Sequence, residues 1–482
     1  MKKLISVLLT LVLVAGLFAG CSTTGATEAE KKVETKKKAA DVVVIGGGSA
    51  GLSAAIEAAE AGVKVVLIDK MPMLGGSTVL SGGIVYSTGS QIQKDNGIED
   101  SVDALVDYWM ERSENNADES YLRFVAERSG ETVDWLVNLG VQFGAPHATG
   151  TSPILRAVSA TEHGAGIINP LKAYAESKNV EIMLQTTAKS LIKNDQNVIT
   201  GVMAEDKEGN PIEFTAKSVI LATGGFDHNS ELVKTYATVA EGQKSFAGVG
   251  NTGDGLNMAK ESGAAIVSSG GVIGFRAVEG EPAYTTEVCM LMWMPYLYVN
   301  TDGNRFVNEA IDYPLFYEEL IKQKEGVSYL IFDQNTYQPA LDKAVEKGSA
   351  FVADTIEDLA KQAGINPEGL AKTIENYNQM IATGSDTEFG KDLTGHPQIN
   401  APKYYAVKVV PAILGTLTGV KTDLDGKVLD AQGNPIAGLY AAGEVANGDF
   451  FYKVYPASGT SIQMCVTFGR VAGKNAAEFS KQ

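Results

Sequence analysis

The sequence predicts an α/β fold built on a parallel β-sheet. A β-branched run at residues 41–45 is followed at once by the glycine-rich segment 46–51 and then by an Ala/Glu-rich helical pattern that ends near Ala61. A second apolar run at residues 63–68 ends at Asp69. This order of strand, Gly-x-Gly-x-x-Gly turn, helix, strand and acidic residue is typical of a Rossmann-like βαβ unit, which binds dinucleotides.

Each glycine of the turn has a predicted mechanical role. Gly46 allows the tight turn, Gly48 lets the backbone approach a pyrophosphate, and Gly51 lets the helix pack closely on the strand. Asp69 can accept a hydrogen bond from a ribose hydroxyl. The same glycine spacing recurs at residues 248–253, but no strand leads into it, so we predict a loop there.

Length and composition limit the classes of function. The chain has 482 residues, 58 acidic against 40 basic side chains and 44% hydrophobic residues. It is long enough for two domains, and a net charge of -18 excludes nucleic acid as a partner. Cys21, Cys289, Cys465 and the four histidines lack the spacing of common metal sites, so we expect no metal.

The N-terminus predicts export and lipidation. Two lysines precede an apolar run at residues 4–17, so residues 1–20 have the pattern of a signal peptide. Residues 17–21, Leu-Phe-Ala-Gly-Cys, resemble a bacterial lipobox in which Cys21 is lipidated. A transmembrane helix is the alternative, but the run is short of the roughly 20 residues that a span needs. With residues 21–40 as a solvated tether, we expect a lipid-anchored protein on the extracytoplasmic face of the cell membrane.

FAD and NAD share this first βαβ unit, so the choice between them needs other segments of the chain. They are Gly-Gly-Ser-Thr at 75–78, Ser-Gly-Gly at 81–83, Ala-Thr-Gly-Gly at 222–225 and Ala-Ala-Gly-Glu at 441–444. This set resembles the FAD domain of the fumarate reductase and succinate dehydrogenase flavoprotein family. The likeness continues through residues 251–255, Arg-Phe-Val-Asn-Glu at 305–309 and 467–470, and so covers nearly everything after Ala40.

The resemblance implies an architecture and a cofactor. The FAD-binding domain would consist of residues 41–272 and 416–482, and an α+β capping domain, residues 273–415, would be inserted between them, with the flavin at their junction. The implied FAD contacts are Gly46, Gly48, Ser49, Ala50, Gly51, Asp69, Lys70, Gly75, Gly76, Ser77, Thr78, Ser81, Gly82, Gly83, Ala222, Thr223, Gly224, Asn251, Asp254, Gly443, Glu444, Gly459, Thr460, Ser461 and Ile462. In complex II members a histidine carries FAD covalently at the position of Ser77, so we expect non-covalent FAD here.

The sequence departs from fumarate reductase where that enzyme binds its substrate. In those enzymes an arginine four residues after the RFVNE glutamate donates the proton, and this chain has Tyr313 there. The carboxylate-binding His-His-Thr and Asn-Arg-Leu-Gly-Gly segments align with residues 414–416 and 455–459. A dicarboxylate without such partners costs on the order of several kcal/mol in desolvation. We therefore reject fumarate as the substrate, unless Arg156 or Arg276 has been recruited.

The replacements form a pattern of their own. Tyr313 together with Tyr455-Pro-x-x-Gly459 resembles the 3-ketosteroid dehydrogenases, a branch that acts beside a ketone. The resemblance implies three catalytic residues: the Tyr455 hydroxyl and the Gly459 N–H hold the ketone oxygen, and Tyr313 exchanges a proton with carbon. Two neutral donors would polarise the carbonyl as an oxyanion hole does, while flavin N5 exchanges a hydride at the β carbon.

Several residues keep two interpretations. Tyr313 and Tyr455 could be ordinary packed aromatics. The apolar run at residues 290–296 is either pocket lining or, more commonly for such a run, core. His163 is either a reserve acid near the flavin or a structural residue.

The predicted function is that of an FAD-dependent oxidoreductase acting on a C=C bond conjugated to a carbonyl, an enone, as reductase rather than dehydrogenase. One alternative is a reductase of an unsaturated carboxylate such as fumarate, urocanate or an acrylate. The other is a flavoprotein that only relays electrons, which the capping domain argues against. No CxxCH haem motif and no second nucleotide fold occur, so we expect a separate electron donor or acceptor: a membrane flavoprotein, a cytochrome or a quinone-linked carrier.

Overall fold

The computed structural model describes residues 34–482. The predicted signal peptide, Cys21 and the tether up to residue 33 lie outside the described residues. Within residues 34–482, no helix combines the length and the apolar character that crossing a membrane requires.

The first part of the described chain alternates strands and helices. Its strands are β1 (Lys36–Ala39), β2 (Val42–Ile45), β3 (Val65–Ile68), β4 (Ile84–Tyr86), β5 (Ala157–Ser159), β6 (Glu181–Met183), β7 (Thr187–Lys193), β8 (Ile199–Glu205), β9 (Pro211–Thr215), β10 (Ser218–Leu221) and β11 (Lys244–Ser245). Its helices are α1 (Ser49–Glu60), α2 (Gly76–Leu80), α3 (Gln91–Asp95), α4 (Val102–Arg112), α5 (Glu119–Asn138), α6 (Ala165–Ser177), α7 (Ser230–Tyr236) and α8 (Asp254–Glu261).

The second part contains the longest strands. They and their neighbours are β12 (Ile266–Val278), β13 (Tyr298–Asn300), β14 (Ser328–Phe332), β15 (Ala350–Ala353), β16 (Tyr404–Val420), β17 (Lys427–Leu429) and β18 (Pro435–Ala441). The helices are α9 (Tyr313–Leu320), α10 (Pro339–Glu346), α11 (Ile356–Ala363), α12 (Pro367–Thr383) and α13 (Thr460–Ser480). Short 3₁₀ turns lie at Thr238–Ala240, Cys289–Trp293, Lys324–Gly326, Gln334–Thr336 and Glu444–Ala446.

The central sheet confirms the predicted α/β class. Its strand order is β17-β18-β10-β2-β3-β6, and all neighbours from β18 to β6 are parallel. Every residue of β2, β3 and β10 is buried, as a sheet covered on both faces requires. Helices α1 and α13 pack closely, because Cβ atoms at Gly469 and Gly473 of α13 would lie 2.4 Å and 2.2 Å from the carbonyl oxygens of Ala50 and Ala54.

A second sheet corrects the end of the predicted tether. Its order is β1-β9-β8-β7, and β1 lies parallel to β9 with Lys36 opposite Ile212. Residues 36–39 are therefore part of the folded body and not of a solvated tether. The strand was not predicted because three consecutive lysines are typical of a solvated segment. In the structure, Lys36 and Lys37 form ion pairs with Asp206 and Glu213 at 2.8 Å and 3.2 Å.

A third sheet joins the two predicted domains. Strands β11, β16, β14 and β13 form its path, with β12 and β15 also paired to β16. The antiparallel pair β12 and β16 runs through both predicted domain boundaries, and there Val272 faces Thr416 and Ile273 faces Gly415. The register shifts next to this point, between Ile273 and Gly274. The capping segment is thus continuous with the rest through two long paired strands.

Candidate active site

The glycine turn after β2 has the geometry that its sequence predicts. Gly46 has a φ of +105°, and a Cβ there would lie 2.2 Å from the Ala222 carbonyl oxygen. A Cβ at Gly51 would lie 1.9 Å from the Gly46 carbonyl oxygen, so α1 can lie against the turn only if this residue is glycine. Gly48 differs, since the nearest atom to its Cβ would be the Gly75 oxygen at 3.9 Å. Its open surface leaves room for a ligand to approach the backbone.

Asp69 braces this turn. Its Oδ2 accepts a hydrogen bond from the Gly47 N–H at 2.7 Å, and its Oδ1 accepts one from the Met71 N–H at 2.8 Å. Burial raises the pKa of Asp69, and these two N–H groups act in the opposite direction. This bracing role was not predicted, and the ribose contact stays a prediction. Lys70 and Asp254, both in the predicted set, form an ion pair of 2.6 Å with each other.

Residues 75–83 cover the N-terminus of α1. The hydroxyls of Ser49 and Thr78 lie 2.9 Å apart. The Ser81 hydroxyl donates to the Thr78 carbonyl at 2.7 Å and accepts from the Gly83 N–H at 3.1 Å. The predicted segments 46–51 and 75–83 are therefore in contact, as a common cofactor site requires.

A buried amide links the later predicted segments. The Asn251 Nδ2 donates to Ser77 Oγ at 3.2 Å, to Asp227 Oδ1 at 2.9 Å and to Glu444 Oε2 at 3.4 Å. Glu444 Oε1 also accepts from the Thr416 N–H at 2.7 Å. Burial and the neighbouring Asp227 raise the pKa of Glu444. Asp227 was missed by the sequence analysis, although an acidic residue directly after the Ala-Thr-Gly-Gly-Phe run was a usable signal.

Two orphaned hydroxyls indicate where a polar ligand fits. Thr223 Oγ1 and Thr460 Oγ1 are buried and have no hydrogen-bond partner among residues 34–482. Buried hydroxyls are nearly always hydrogen-bonded, so these two suit a ligand rich in polar atoms. Both belong to the predicted FAD set. Together with the open surface at Gly48, they show that the residues present fit FAD.

Other residues of the predicted FAD set lie where the glycine-rich segments contact one another. A Cβ at Gly443 would lie 2.8 Å from the Ala50 Cβ, and one at Gly224 would lie 2.4 Å from Asn251 Oδ1. The remaining members are Gly76 at the start of α2, Gly82 beside β4, and Ser461 and Ile462 in the first turn of α13. That turn presents the positive end of a 21-residue helix, which favours negative charge on a bound group.

The two predicted catalytic tyrosines face each other. Tyr313 begins α9 of the predicted capping domain, and Tyr455 precedes α13. Their ring centroids are 6.3 Å apart, with the planes 28° from parallel. Burial, Tyr455 and Asp312 raise the pKa of Tyr313 well above its usual value. Burial likewise raises the pKa of Tyr455, and the N–H groups of Ser461 and Gly459 lower it. Both phenols are therefore neutral at physiological pH and can act as hydrogen-bond donors.

The Tyr455 hydroxyl is oriented by the backbone. It accepts a hydrogen bond of 2.9 Å from the Ser461 N–H. Accepting this bond leaves its own proton available for a second partner. Gly459, which precedes α13 with a φ of +99°, places its N–H beside the same hydroxyl. The structure thus brings together all three predicted catalytic residues.

Aromatic rings extend this site on both sides. Phe451 lies 5.7 Å from the Tyr455 ring, and Trp293 lies 6.2 Å edge-on to the Tyr313 ring. Trp293 is 36% exposed, whereas Met292 is fully buried, so part of the run at residues 290–296 belongs to the core. That the run lines a substrate pocket stays a prediction.

Comparison with known proteins gives the family. Residues 41–462 match the family described as FAD binding domain. The chain is 34% identical to a probable fumarate reductase of Shewanella frigidimarina (strain NCIMB 400), with 91% of this chain and 74% of that protein covered. The chain belongs to the fumarate reductase-like FAD flavoproteins. It is an FAD-dependent oxidoreductase of the class that acts on C=C bonds, so the predicted fold, cofactor and enzyme class are confirmed.

Two further similar proteins act on two different kinds of unsaturated substrate. A urocanate reductase of Eggerthella lenta is 32% identical over 91% of this chain and 74% of its own length. The structure of 3-ketosteroid-Δ4-(5α)-dehydrogenase from Rhodococcus jostii RHA1 in complex with 4-androstene-3,17-dione superimposes with a TM-score of 0.73 at 26% identity, covering 93% of this chain and 99% of that one. The second relative supports the resemblance to the ketosteroid branch.

The RFVNE motif of this flavoprotein is a buried ion-pair network. Arg305 donates to both carboxylate oxygens of Glu309, at 2.8 Å and 2.9 Å, and to Asp386 at 2.7 Å. Lys391 lies 3.1 Å from Glu309. These four side chains are at most 1% exposed, so the motif fixes the loop that leads into Tyr313.

The two arginines considered as carboxylate clamps have other partners. Arg156 forms a buried ion pair with Asp100 through two contacts of 2.7 Å. Arg276 donates through Nε to the Met292 carbonyl at 2.8 Å, and its guanidinium lies 4.0 Å from the Phe316 ring centroid. Burial lowers the pKa of Arg276. Its Nη1 has no partner within the described part of the chain.

His163 is exposed and lies in a turn with a φ of +53°. Its backbone contacts the glycine segment, because a Cβ at Gly83 would lie 2.4 Å from the His163 carbonyl. This packing supports the structural interpretation of His163. The second glycine match, at residues 248–253, is a loop before α8, as predicted.

Proposed function

We propose that this flavoprotein reduces a C=C bond conjugated to a neutral carbonyl group, an enone, and that proton transfer uses tyrosine. The observation that carries the proposal is the facing pair of neutral phenols, Tyr313 and Tyr455, at a ring-centroid distance of 6.3 Å. No arginine occupies the place of either phenol. The rings of Trp293 and Phe451, which adjoin the two phenols, favour a flat apolar substrate over a dicarboxylate.

Each residue of the site then has a defined task. FAD, when bound, supplies the hydride to the β carbon. The Tyr455 hydroxyl and the Gly459 N–H hold the carbonyl oxygen and stabilise the negative charge that develops there, a contribution of about 3 kcal/mol for one such donor. Tyr313 delivers its proton to the neighbouring carbon. The raised pKa of Tyr313 keeps that proton in place until charge develops on the substrate.

A second candidate is the reduction of an unsaturated monocarboxylate. The observation that favours it is Arg276 Nη1, which has no hydrogen-bond partner among residues 34–482. The Arg276 guanidinium lies 5.8 Å from the ring centroid of Trp293, which adjoins Tyr313. The urocanate reductase relative acts on a substrate of this type. A guanidinium with one unused donor group could hold a single carboxylate.

The direct test separates these substrates. The purified FAD-loaded protein is reduced with dithionite without oxygen, and simple enones, steroid enones, acrylates, urocanate and fumarate are added separately. The proposal expects the flavin to be reoxidised by enones and not by fumarate. Reoxidation by acrylates or urocanate alone would establish the second candidate, and no reoxidation by any of these compounds would contradict both.

We also propose that FAD is bound without a covalent link. The support is Ser77, whose hydroxyl accepts hydrogen bonds from the Gly248 N–H at 3.1 Å and from Asn251. Acid precipitation of the holoprotein should then leave a yellow supernatant. Flavin that remains with the precipitated protein would contradict this proposal.

The location remains a proposal that rests on the sequence alone. We infer lipid anchoring through Cys21 on the extracytoplasmic face, from where a membrane flavoprotein, a cytochrome or a quinone-linked carrier would deliver electrons. The Cys21→Ala variant should leave the membrane fraction or stay unprocessed. Unchanged membrane association of this variant would indicate a spanning segment instead.

A further inference from the structure

The carboxylate of Asp312 connects three segments that are distant in sequence. Its Oδ2 accepts hydrogen bonds from the Gly150 N–H at 2.9 Å and from the Ser458 N–H at 2.8 Å. Its Oδ1 accepts from the Ser458 hydroxyl at 2.5 Å and from the Tyr313 N–H at 2.9 Å. Asp312 belongs to the capping domain, whereas Gly150 and Ser458 belong to the FAD domain.

The bonded groups adjoin the proposed catalytic residues. Asp312 precedes Tyr313 and caps helix α9, which Tyr313 begins. Ser458 precedes Gly459, and Tyr455 lies three residues before Ser458. One carboxylate therefore holds the proton donor and the two carbonyl-binding groups in a common arrangement.

The FAD-domain side of this contact is itself braced. The Tyr108 hydroxyl donates to the Pro456 carbonyl at 2.7 Å and accepts from the Thr151 N–H at 3.2 Å. The Thr149 hydroxyl donates to the Ser458 carbonyl at 3.0 Å. The loops that carry Gly150 and Ser458 are thus also joined by hydrogen bonds that do not involve Asp312.

We propose that Asp312 is a positioning residue that fastens the capping domain to the FAD domain and sets Tyr313 opposite Tyr455 and Gly459. Hydrogen bonds from N–H and O–H groups to a carboxylate are roughly twice as strong as neutral ones, and here they converge on two oxygen atoms. The catalytic part of this proposal rests on the proposed role of Tyr313. The fastening part does not depend on the substrate.

The main variant is Asp312→Asn, which keeps the shape of the side chain but turns an N–H₂ group toward N–H or O–H donors. Asp118→Asn is the matched control, since Asp118 caps α5 and accepts from the Ser120 N–H and hydroxyl at 2.9 Å and 2.6 Å, away from the tyrosine pair. Both are compared as FAD-loaded proteins. Asp312→Glu and Asp312→Ala extend the series where Asn alone is poorly folded.

Two measurements test the proposal separately. Hydrogen exchange by mass spectrometry should be about tenfold faster in the peptides that contain Gly150 and Ser458 for Asp312→Asn, and unchanged there for Asp118→Asn. For the enone identified by reoxidation, kcat should fall by about 10- to 100-fold with little change in KM and FAD content. In a Tyr313→Phe background, Asp312→Asn should lower kcat by a smaller factor than it does in the wild-type protein, because only the arrangement of Tyr455 and Gly459 is then left to disturb.

The outcomes are distinguishable. Unchanged exchange at Gly150 and Ser458 would overturn the fastening role. Additive losses in the double variant, or an unchanged kcat for Asp312→Asn, would overturn the positioning of Tyr313. A fully active Tyr313→Phe variant would contradict the proposed function instead, and the exchange measurement would then still decide whether Asp312 joins the domains.

Discussion

The glycine turn after β2 and the tyrosine pair at the predicted domain junction are built in different ways. The turn consists of backbone atoms, and its close contacts, such as that between Gly46 and Ala222, leave no room for a side chain. The junction consists of side chains from separate segments, such as Tyr313 and Tyr455, with Asp312 between them. The first region is the predicted binding site of the FAD cofactor, and the second is where we propose that the substrate is selected.

This difference predicts how each region responds to substitution. Any side chain introduced at Gly46 or Gly51 of the turn causes strain and steric overlap, whatever its chemistry. At the tyrosine pair, a substitution can remove one hydroxyl and keep the shape of the site, so that catalysis is lost while substrate binding is kept. Substitutions at these two glycines should therefore abolish FAD binding altogether. Substitutions at the junction should each impair one property, such as turnover, and leave the others intact.

The largest expected effect is that of Gly46→Ala. The new Cβ would overlap the Ala222 carbonyl in a backbone conformation that disfavours it, so we expect purified protein with little or no FAD. Gly62→Ala is the control, since Gly62 also has a positive φ of +82° but no atom of the described residues 34–482 lies within 4 Å of its Cβ position. Flavin absorbance per protein measures both variants. A normal FAD content in Gly46→Ala would contradict the backbone account of the turn.

The next effect concerns the network behind the junction. Glu309→Gln leaves Arg305 and Lys391 buried without their shared anion, and we expect the free energy of unfolding to fall by about 3 kcal/mol. Denaturant titration of the FAD-loaded protein measures this. Glu357→Gln, which breaks the exposed pair with Lys361, should have no measurable effect. Equal effects of the two variants would mean that the network does not support the Tyr313 loop.

The smallest effect is a pH dependence within the FAD domain. Because burial and Asp227 raise the pKa of Glu444, the folded protein retains a proton that the unfolded chain releases. Stability is therefore greatest below the ordinary carboxyl pKa and falls as the pH rises, by up to about 1.4 kcal/mol per pH unit. The expected difference between pH 6 and pH 7 is about 1 kcal/mol, and Glu444→Gln should reduce it. An identical pH slope in that variant would assign the effect to other groups.

The sequence predicted the parts of the molecule that are local. Strands β2 and β3 were expected at residues 41–45 and 63–68 and lie at Val42–Ile45 and Val65–Ile68. The turn and its acidic partner lie within 24 residues of one another, so their pattern is visible as one motif. The tyrosine pair was reached only through the resemblance to a known branch, since nothing in the local pattern links residues 313 and 455.

What escaped prediction depends on contacts between distant residues. Asp312 and Ser458 are 146 residues apart. Strand β1 looked like part of a tether because its lysines find their acidic partners about 170 residues further along the chain. The role of Asp312 could not be predicted, because its hydrogen-bond donors come together only in the folded chain.

The central claim is that tyrosine, and not arginine, moves the proton, and Tyr313→Phe tests it most directly. With reduced viologen as electron donor and the enone identified by reoxidation as substrate, this variant should lose about 10²-fold in kcat while FAD content and KM change little. Tyr317→Phe, one turn further along α9, removes a hydroxyl that bonds Gln243 at 3.1 Å and should stay active. Arg276→Met, once shown to be folded and FAD-loaded, should also retain activity. A nearly fully active Tyr313→Phe together with an inactive Arg276→Met would contradict the account and indicate an acid held by arginine.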